Sequence, residues 1–325
     1  MAEIIVREAI AHGLREALEQ DENVFLLGED IGEYDGAYAV TRGFLKDFGP
    51  ERIRDTPISE SGFVGAAVGA ALVGLRPIVE IMTINFSMLA MDQIINHAAK
   101  FHYMSDGQLT VPMVIRTVTG GGAQLAATHS QSLEGWYASV PGLKVAVPST
   151  PYDALGLLRT SIKDENPIIF AEHALLYGTR GEVPSEYYEV PFGQAAVRRE
   201  GSDVTIVGYS RMAHIAMEAA DILAERGRRA EVIDLRTLRP FDVDTIVESV
   251  KKTNRAVVVE ETWRTGGFAG EIASEVQEAA FDYLDGPVVR VGGLDVPAPY
   301  SGQIEAATIP DASRVVDEIA RNFAI

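Results

Sequence analysis

Short apolar runs alternate with segments of helical period along nearly the whole chain, and that alternation restricts the fold more than any other feature. Strands separated by helical crossovers build parallel sheets with helices laid on their faces. VFLLG at 24–28 reads as a buried strand running into Glu29 and Asp30, after an opening helix with Val6, Ile10, Leu14, Ala17 and Leu18 on one face. Strands are expected at 78–84, 111–117, 143–148 and 167–172, with helices at 87–103 and 151–163. From 174 the periodicity fades, and Pro184, Pro191 and charges gather. A second set follows, with strands at 203–209, 230–235, 256–261 and 288–293 and helices near 211–226, 242–253, 268–283 and 312–323. The expected fold class is α/β with mostly parallel sheets, in two domains, since 325 residues exceed one ordinary core. The expected division is 1–185, a connector 186–202, and 203–325.

The stretch 55–77, DTPISESGFVGAAVGAALVGLRP, stands apart. Glu60 opens a helix whose residues are nearly all small, with Gly62, Gly65, Gly69 and Gly74 among alanines. Each interior glycine costs a helix up to ~1 kcal/mol relative to alanine, so another backbone pressed close is the expected compensation. An acid at that edge is either a site group in a water-poor contact or a first-turn carboxylate favoured by the helix dipole by ~0.3–1 kcal/mol.

Composition closes several routes. No cysteine is present, which excludes disulfides, thiolate metal sites and thiol nucleophiles. The formal net charge of −19 leaves no excess cation to neutralise phosphates, so nucleic acid is not an expected partner; the charge is compatible with a basic protein partner, and on charge alone it reads first as a well-solvated acidic surface. Apolar runs break well before the length of a membrane span, and the N-terminal segment carries acids in a helical period, unlike a signal or transit peptide. A cytoplasmic location is expected. No GxGxxG follows a strand; GxxxxGK[ST], HExxH and GxSxG are also missing. Carboxylates, histidines or a borrowed cofactor must carry any chemistry.

DTPISESGFVGAAVGAALVGLRPIVEIMT, NFSMLAMDQIINHAAKFHYMSDG, THSQS, PGLKVAVPSTPYDALGLL and EVIDLRTLRPFDVDTI together resemble the beta subunits of thiamine-diphosphate-dependent 2-oxo acid dehydrogenases. The similarity runs from about residue 3 to 325. It implies an N-terminal pyrimidine-binding domain, a C-terminal transketolase-like domain, and a tetramer of two alpha and two beta chains. The implied reaction is decarboxylation of a 2-oxo acid and reductive acylation of a lipoyl group on an acyltransferase core. Enzymes of this cofactor class hold the diphosphate and Mg²⁺ with a GDG and a later paired Asn. Neither occurs here, so the half-site with Mg²⁺ is expected from an alpha subunit. MTINFSMLAMDQ is similar to pyruvate-type members; branched-chain and acetoin enzymes are the neighbouring alternatives, and a non-catalytic assembly protein of the same fold is an alternative of another class.

The resemblance implies roles residue by residue. Glu60 would hydrogen-bond the ring nitrogen of the cofactor's aminopyrimidine, favouring its imino tautomer. His129, in a loop after a triple glycine, would face the reactive end of the cofactor and handle substrate or the lipoyl group. Met82, Phe86 and Ile58 would flank the ring, against the alternative of ordinary core packing. Glu29, ending a strand, is a candidate relay acid, against the alternative of a solvated turn acid. Met113, Ser161, Ile162, Asp164 and Asn166 would hold a structural potassium ion, against the alternative of a helix end whose carbonyls meet water. His12, His173 and His214 are expected on the surface, and His97 and His102 at packing or interface positions. The acidic surface and the carboxylate of Ile325 would dock a basic subunit-binding domain of the acyltransferase core.

Overall fold

The computed structural model describes residues 1–324, so the expected role of Ile325 lies outside the described residues. The chain forms two compact units. The first comprises residues 1–119 and 136–192, the second residues 120–135 and 193–325.

In the first unit, strands β1 (Ala2–Ile5), β2 (Val24–Gly28), β3 (Ile53–Asp55), β4 (Arg76–Ile81), β5 (Val114–Thr119), β6 (Lys144–Ala146), β7 (Ile168–His173) and β8 (Arg180–Val183) alternate with helices α1 (Val6–Gln20), α2 (Phe44–Phe48), α3 (Glu60–Leu72), α4 (Phe101–Met104), α5 (Glu134–Ala138, whose first two residues count with the second unit) and α6 (Pro151–Lys163). The parallel order β6-β7-β5-β4-β2-β3 places neighbours such as Leu27 and Val79, or Ile115 and Ile169, in register. β1 and β8 pair antiparallel apart from that sheet. Val6, Ile10, Leu14 and Leu18 of α1 are buried with Leu155, Leu157 and Leu158 of α6, as the period of the sequence requires. Thr150 caps α6, its Oγ1 accepting from the Asp153 amide, and Pro151 takes the first helical position.

The expected helix over 87–103 is instead a 3₁₀ turn at Phe86–Ala90, a widened π-helical segment at Asp92–Ala98, and α4. The Ala99 amide bonds the Ile94 carbonyl at 3.0 Å, a five-residue step. The apolar period reads as helix but does not report the number of residues per turn, and such widened turns concentrate at functional sites.

The second unit holds β9 (Ala196–Arg199), β10 (Val204–Gly208), β11 (Ala230–Asp234), β12 (Thr237–Arg239), β13 (Ala256–Trp263) and β14 (Val289–Gly293), with α7 (Arg211–Glu225), α8 (Val243–Thr253), α9 (Ala269–Ala280), α10 (Gly302–Thr308) and α11 (Ala312–Phe323). The order β14-β13-β10-β11-β9 is parallel except for β9, which runs antiparallel to β11 with a bulge between Val232 and Ile233. β9 lies within the stretch expected to be a connector. An edge strand is solvated along one side, and Val197 is exposed there, so clean alternation is lost. Val204, Ile206, Val232, Val257 and Val259 form the core with Ala216, Ala219 and Leu223 of α7 and Val315, Val316 and Ile319 of α11.

Candidate active site

Parallel α/β sheets present ligands at the carboxyl ends of their strands, where the chain turns out and backbone groups are free. In the first unit β2 ends at Gly28 and delivers Glu29, while β3 ends at Asp55 and reaches Glu60 across a short loop. Gly28 has room for no side chain, since a Cβ there would stand 2.5 Å from the Glu80 carbonyl. The loop after β2 is fixed by Asp55, whose carboxylate accepts from the amides of Gly32 at 2.7 Å and Glu33 at 2.9 Å.

Glu60 is 3% exposed, and among the described residues no hydrogen bond to its carboxylate is present. Glu29 is also buried, and its Oε1 has no partner. Burial, then the negative charges of Glu60 and Asp30, hold the Glu29 pKa above the usual carboxylate range. Two acids thus face one another without a base, and buried charge is normally compensated. A ligand that accepts or shares a proton would compensate it. The ring nitrogen and amino group of thiamine diphosphate offer that chemistry, so these residues fit the cofactor.

Met82 and Phe86 are half-buried beyond the end of β4, and Ile58 is 85% exposed just ahead of Glu60. The helix behind them is open on its slim side: Gly62, Ala66, Gly69 and Val73 are exposed, and a Cβ at Gly69 would meet nothing.

His129 belongs to the second unit with the glycine-rich loop 120–135. It is exposed, and its Nδ1 shares a 2.9 Å hydrogen bond with Thr128 Oγ1. The loop is pinned by acids of its own unit. Glu261 Oε1 accepts from the Gly121 amide at 2.6 Å, and the two oxygens of Glu305 accept from Gly122 at 3.0 Å and Gln124 at 2.9 Å. Nothing in the spacing of the sequence linked these acids to the loop, since Glu305 lies 183 residues beyond Gly122.

Other groups escaped the sequence reading as well. Arg116, in the middle of the first sheet, bonds both oxygens of Glu172 at 2.7 and 2.9 Å and Glu80 at 2.6 Å; Tyr177 donates to Glu172 at 2.6 Å. Burial works against the charge of Arg116, but the two acids outweigh it and raise its pKa. In the second unit Glu260 is fully buried with an orphaned Oε1, its other oxygen accepting from the Ala269 amide at 2.9 Å. Burial, opposed by that amide and reinforced by Glu134, pushes its pKa up to about 7. The alternating pattern registers strands but not which cross-strand acids meet. His173 corrects the surface expectation: it is buried at the end of β7, with its Nδ1 accepting from the Leu175 amide at 3.2 Å.

Of the candidate cation ligands, Ser161, Ile162, Asp164 and Asn166 lie where α6 ends, and Met113 directly precedes β5. Ile162 O accepts from Arg76 at 3.0 Å, Met113 O from the Ile168 amide at 2.9 Å, and Ser161 O from the Asp164 amide at 3.3 Å. Asp164 pairs with Lys144 and accepts from the Asn166 amide at 2.9 Å. Burial opposes its charge, but these bonds prevail and lower its pKa. The candidate donors are all oxygens, and the cationic side chains of Arg76 and Lys144 already bond Ile162 O and Asp164. Among the described residues no cluster of three or more His, Cys, Asp or Glu is arranged for a metal. No helix of the described residues is long and apolar enough to cross a membrane.

Comparison with known proteins also divides the chain in two, but with residues 120–135 inside the first match. "Transketolase, pyrimidine binding domain" matches residues 2–179, and "Transketolase, C-terminal domain" matches 193–315. A solved "Split gene transketolase, inactive beta4 tetramer" superposes with a TM-score of 0.78 at 26% identity, covering 99% of this chain and 98% of that one. The fold is therefore the α/β arrangement of the transketolase type. Within it, the chain belongs to the family of beta subunits of 2-oxo acid dehydrogenases. It is 50% identical over 319 residues to "Pyruvate dehydrogenase E1 component subunit beta" of Rickettsia felis, covering 98% of each chain. The mitochondrial beta-2 subunit of Oryza sativa is 51% identical over 323 residues, covering 98% of this chain and 85% of that protein. The mitochondrial subunit of Bos taurus is 49% identical over 328 residues, covering 99% and 91%.

Proposed function

We propose that this chain is the beta subunit of a two-chain pyruvate dehydrogenase E1 component that acts on thiamine diphosphate shared with an alpha subunit. The observation that carries the reading is the buried, base-free pair Glu60 and Glu29 at the carboxyl ends of parallel strands. The similarity to chains named as pyruvate dehydrogenase E1 beta subunits supplies the substrate. When bound, the cofactor supplies the electron sink for decarboxylation. Glu60 holds a proton at the aminopyrimidine ring nitrogen, and exclusion of water strengthens that bond. Glu29 would keep a second proton close by, since burial and the neighbouring charges of Glu60 and Asp30 raise its pKa and favour the neutral acid. Ile58, Met82 and Phe86 give the ring apolar walls. His129 bonds substrate or the lipoyl acceptor at the reactive end.

The alpha subunit completes the site with the diphosphate and Mg²⁺ ligands that this sequence lacks, in a tetramer of two alpha and two beta chains. The open, slim face of α3 supports close packing of that partner. Potassium at Met113, Ser161, Ile162, Asp164 and Asn166 would brace the end of α6. The acidic chain suits a basic subunit-binding domain of the lipoyl acyltransferase core, and added salt should weaken that docking. A cytoplasmic location accompanies the reading, and cell fractionation tests it.

Mixed with its alpha subunit, Mg²⁺ and thiamine diphosphate, the chain should decarboxylate pyruvate faster than branched-chain 2-oxo acids or acetoin. Preference for either alternative would reassign the substrate. Turnover by this chain alone would remove the two-chain reading, and no turnover by an assembled tetramer would favour an assembly protein.

A further inference from the structure

The loop that carries His129 is built mostly from small residues. Its sequence, GGGAQLAATHSQS, is nearly devoid of bulky side chains, and the Gly120 amide to Gln131 carbonyl bond at 3.2 Å closes its base. Several residues are in the left-handed region, Gly120 at φ 92°, Gly122 at 89°, Gln124 at 59° and Ala126 at 65°. Such a backbone persists only where its surroundings impose it. The imposing groups are Glu305 and Glu261, which take the amides of Gly121, Gly122 and Gln124. Glu305 is 1% exposed and Glu261 is held on its other side by Arg211, at 3.7 Å. Charged acceptors make shorter and stronger bonds than neutral ones, and here three contacts within four residues fix the direction of the chain a few residues before His129.

We infer that Glu305 and Glu261 are positioning residues that set the place of the His129 imidazole for acyl transfer. The inference rests on the catalytic reading of His129 given above. Neither acid needs to touch substrate or cofactor. Their part is to supply, through the loop backbone, a geometry that glycines and alanines do not supply.

A double-mutant cycle in the reconstituted tetramer tests this, with thiamine diphosphate, Mg²⁺ and pyruvate present and reductive acetylation of a free lipoylated domain as readout. Glu305→Ala should lower kcat for acyl transfer at least tenfold, and Glu305→Gln, which retains one acceptor oxygen, should recover part of it. Combined with His129→Ala, Glu305→Ala should add no further loss, because the group it positions is gone. Multiplicative losses in the double variant would overturn the inference and mark Glu305 as merely structural. Full activity of His129→Ala would instead remove the catalytic reading and the inference with it. Should Glu305→Ala fail to assemble, Glu305→Gln serves in the same cycle and the same two outcomes decide.

Discussion

Two groups of buried acids in the first unit make opposite arrangements with their charge. Glu172 and Glu80 share Arg116, whose guanidinium satisfies three of their oxygens, and Tyr177 adds a fourth bond. Among the described residues Glu29 Oε1 has no hydrogen-bond partner, and the charges that act on Glu29 are those of Glu60 and Asp30. The first group is complete within one chain and belongs to the architecture of the sheet. The second is incomplete, and an incomplete buried charge persists where a ligand supplies what is missing. Compensation, more than burial, separates a structural acid from a site acid here.

The largest effect expected on that contrast is kinetic. Glu60→Gln should lower pyruvate decarboxylation by the assembled enzyme by about 10²–10⁴-fold, the span typical of lost general acid–base assistance. Thermal unfolding of the chain should be unchanged or improved, because a charge without a partner is removed. A large loss of melting temperature in Glu60→Gln would erase the distinction. Arg116→Met should do the converse. It strands Glu172 and Glu80, and breaking a buried pair in this way costs about 3–5 kcal/mol, measurable by urea denaturation. A loss below about 1 kcal/mol would mean that the sheet does not depend on this network.

Glu260 offers a third solution, a buried acid that holds its proton to a higher pH than a free carboxyl does. Its pKa lies at about 7 in the fold against 4.5 for the free group. The folded state therefore binds more protons than the unfolded chain between those values, and stability falls as pH rises through that window. At about 1.4 kcal/mol per tenfold change in proton affinity, the difference between 4.5 and about 7 corresponds to roughly 3 kcal/mol. Glu260→Gln should flatten the decline between pH 4.5 and 7 and raise the melting temperature at pH 8; an unaltered profile would place the titration elsewhere. The smallest effect on stability belongs to the slim helix. Gly69→Leu should leave the isolated chain unchanged or more stable by up to ~1 kcal/mol, since the position is exposed and a Cβ there meets nothing. The same change should block assembly with the alpha subunit in gel filtration; normal assembly would show that the open face has another purpose.

Much of the fold was legible because burial imposes periods of two and 3.6. Helix α6 begins and ends where Thr150, Pro151 and the lysine of its last turn indicate, and β10, β11 and β14 fall within a residue or two of their apolar runs. The widened turn over Asp92–Ala98 was not legible, because the same apolar spacing serves both kinds of helix. Edge strand β9 was missed for want of a second buried side. Among site residues, the strand-end position of Glu29 and the helix-start position of Glu60 followed from local sequence. Their pairing did not, since it depends on the β2–β3 neighbourhood. The acids that hold the His129 loop were beyond reach for the same reason, because charge conveys nothing about the backbone it will meet.

That loop also determines what counts as a module. The second unit is assembled from residues 120–135 and 193–325, although the matching C-terminal family domain spans 193–315. A fragment cut at residue 193 would keep Glu261 and Glu305 and lose the amides of Gly121, Gly122 and Gln124 that they bind. Two carboxylates would be left facing empty space at the fragment's functional end. Recombining such halves between relatives, or grafting the C-terminal domain alone, must therefore carry the interrupting segment with it, so that the inheritable unit here is a discontinuous one.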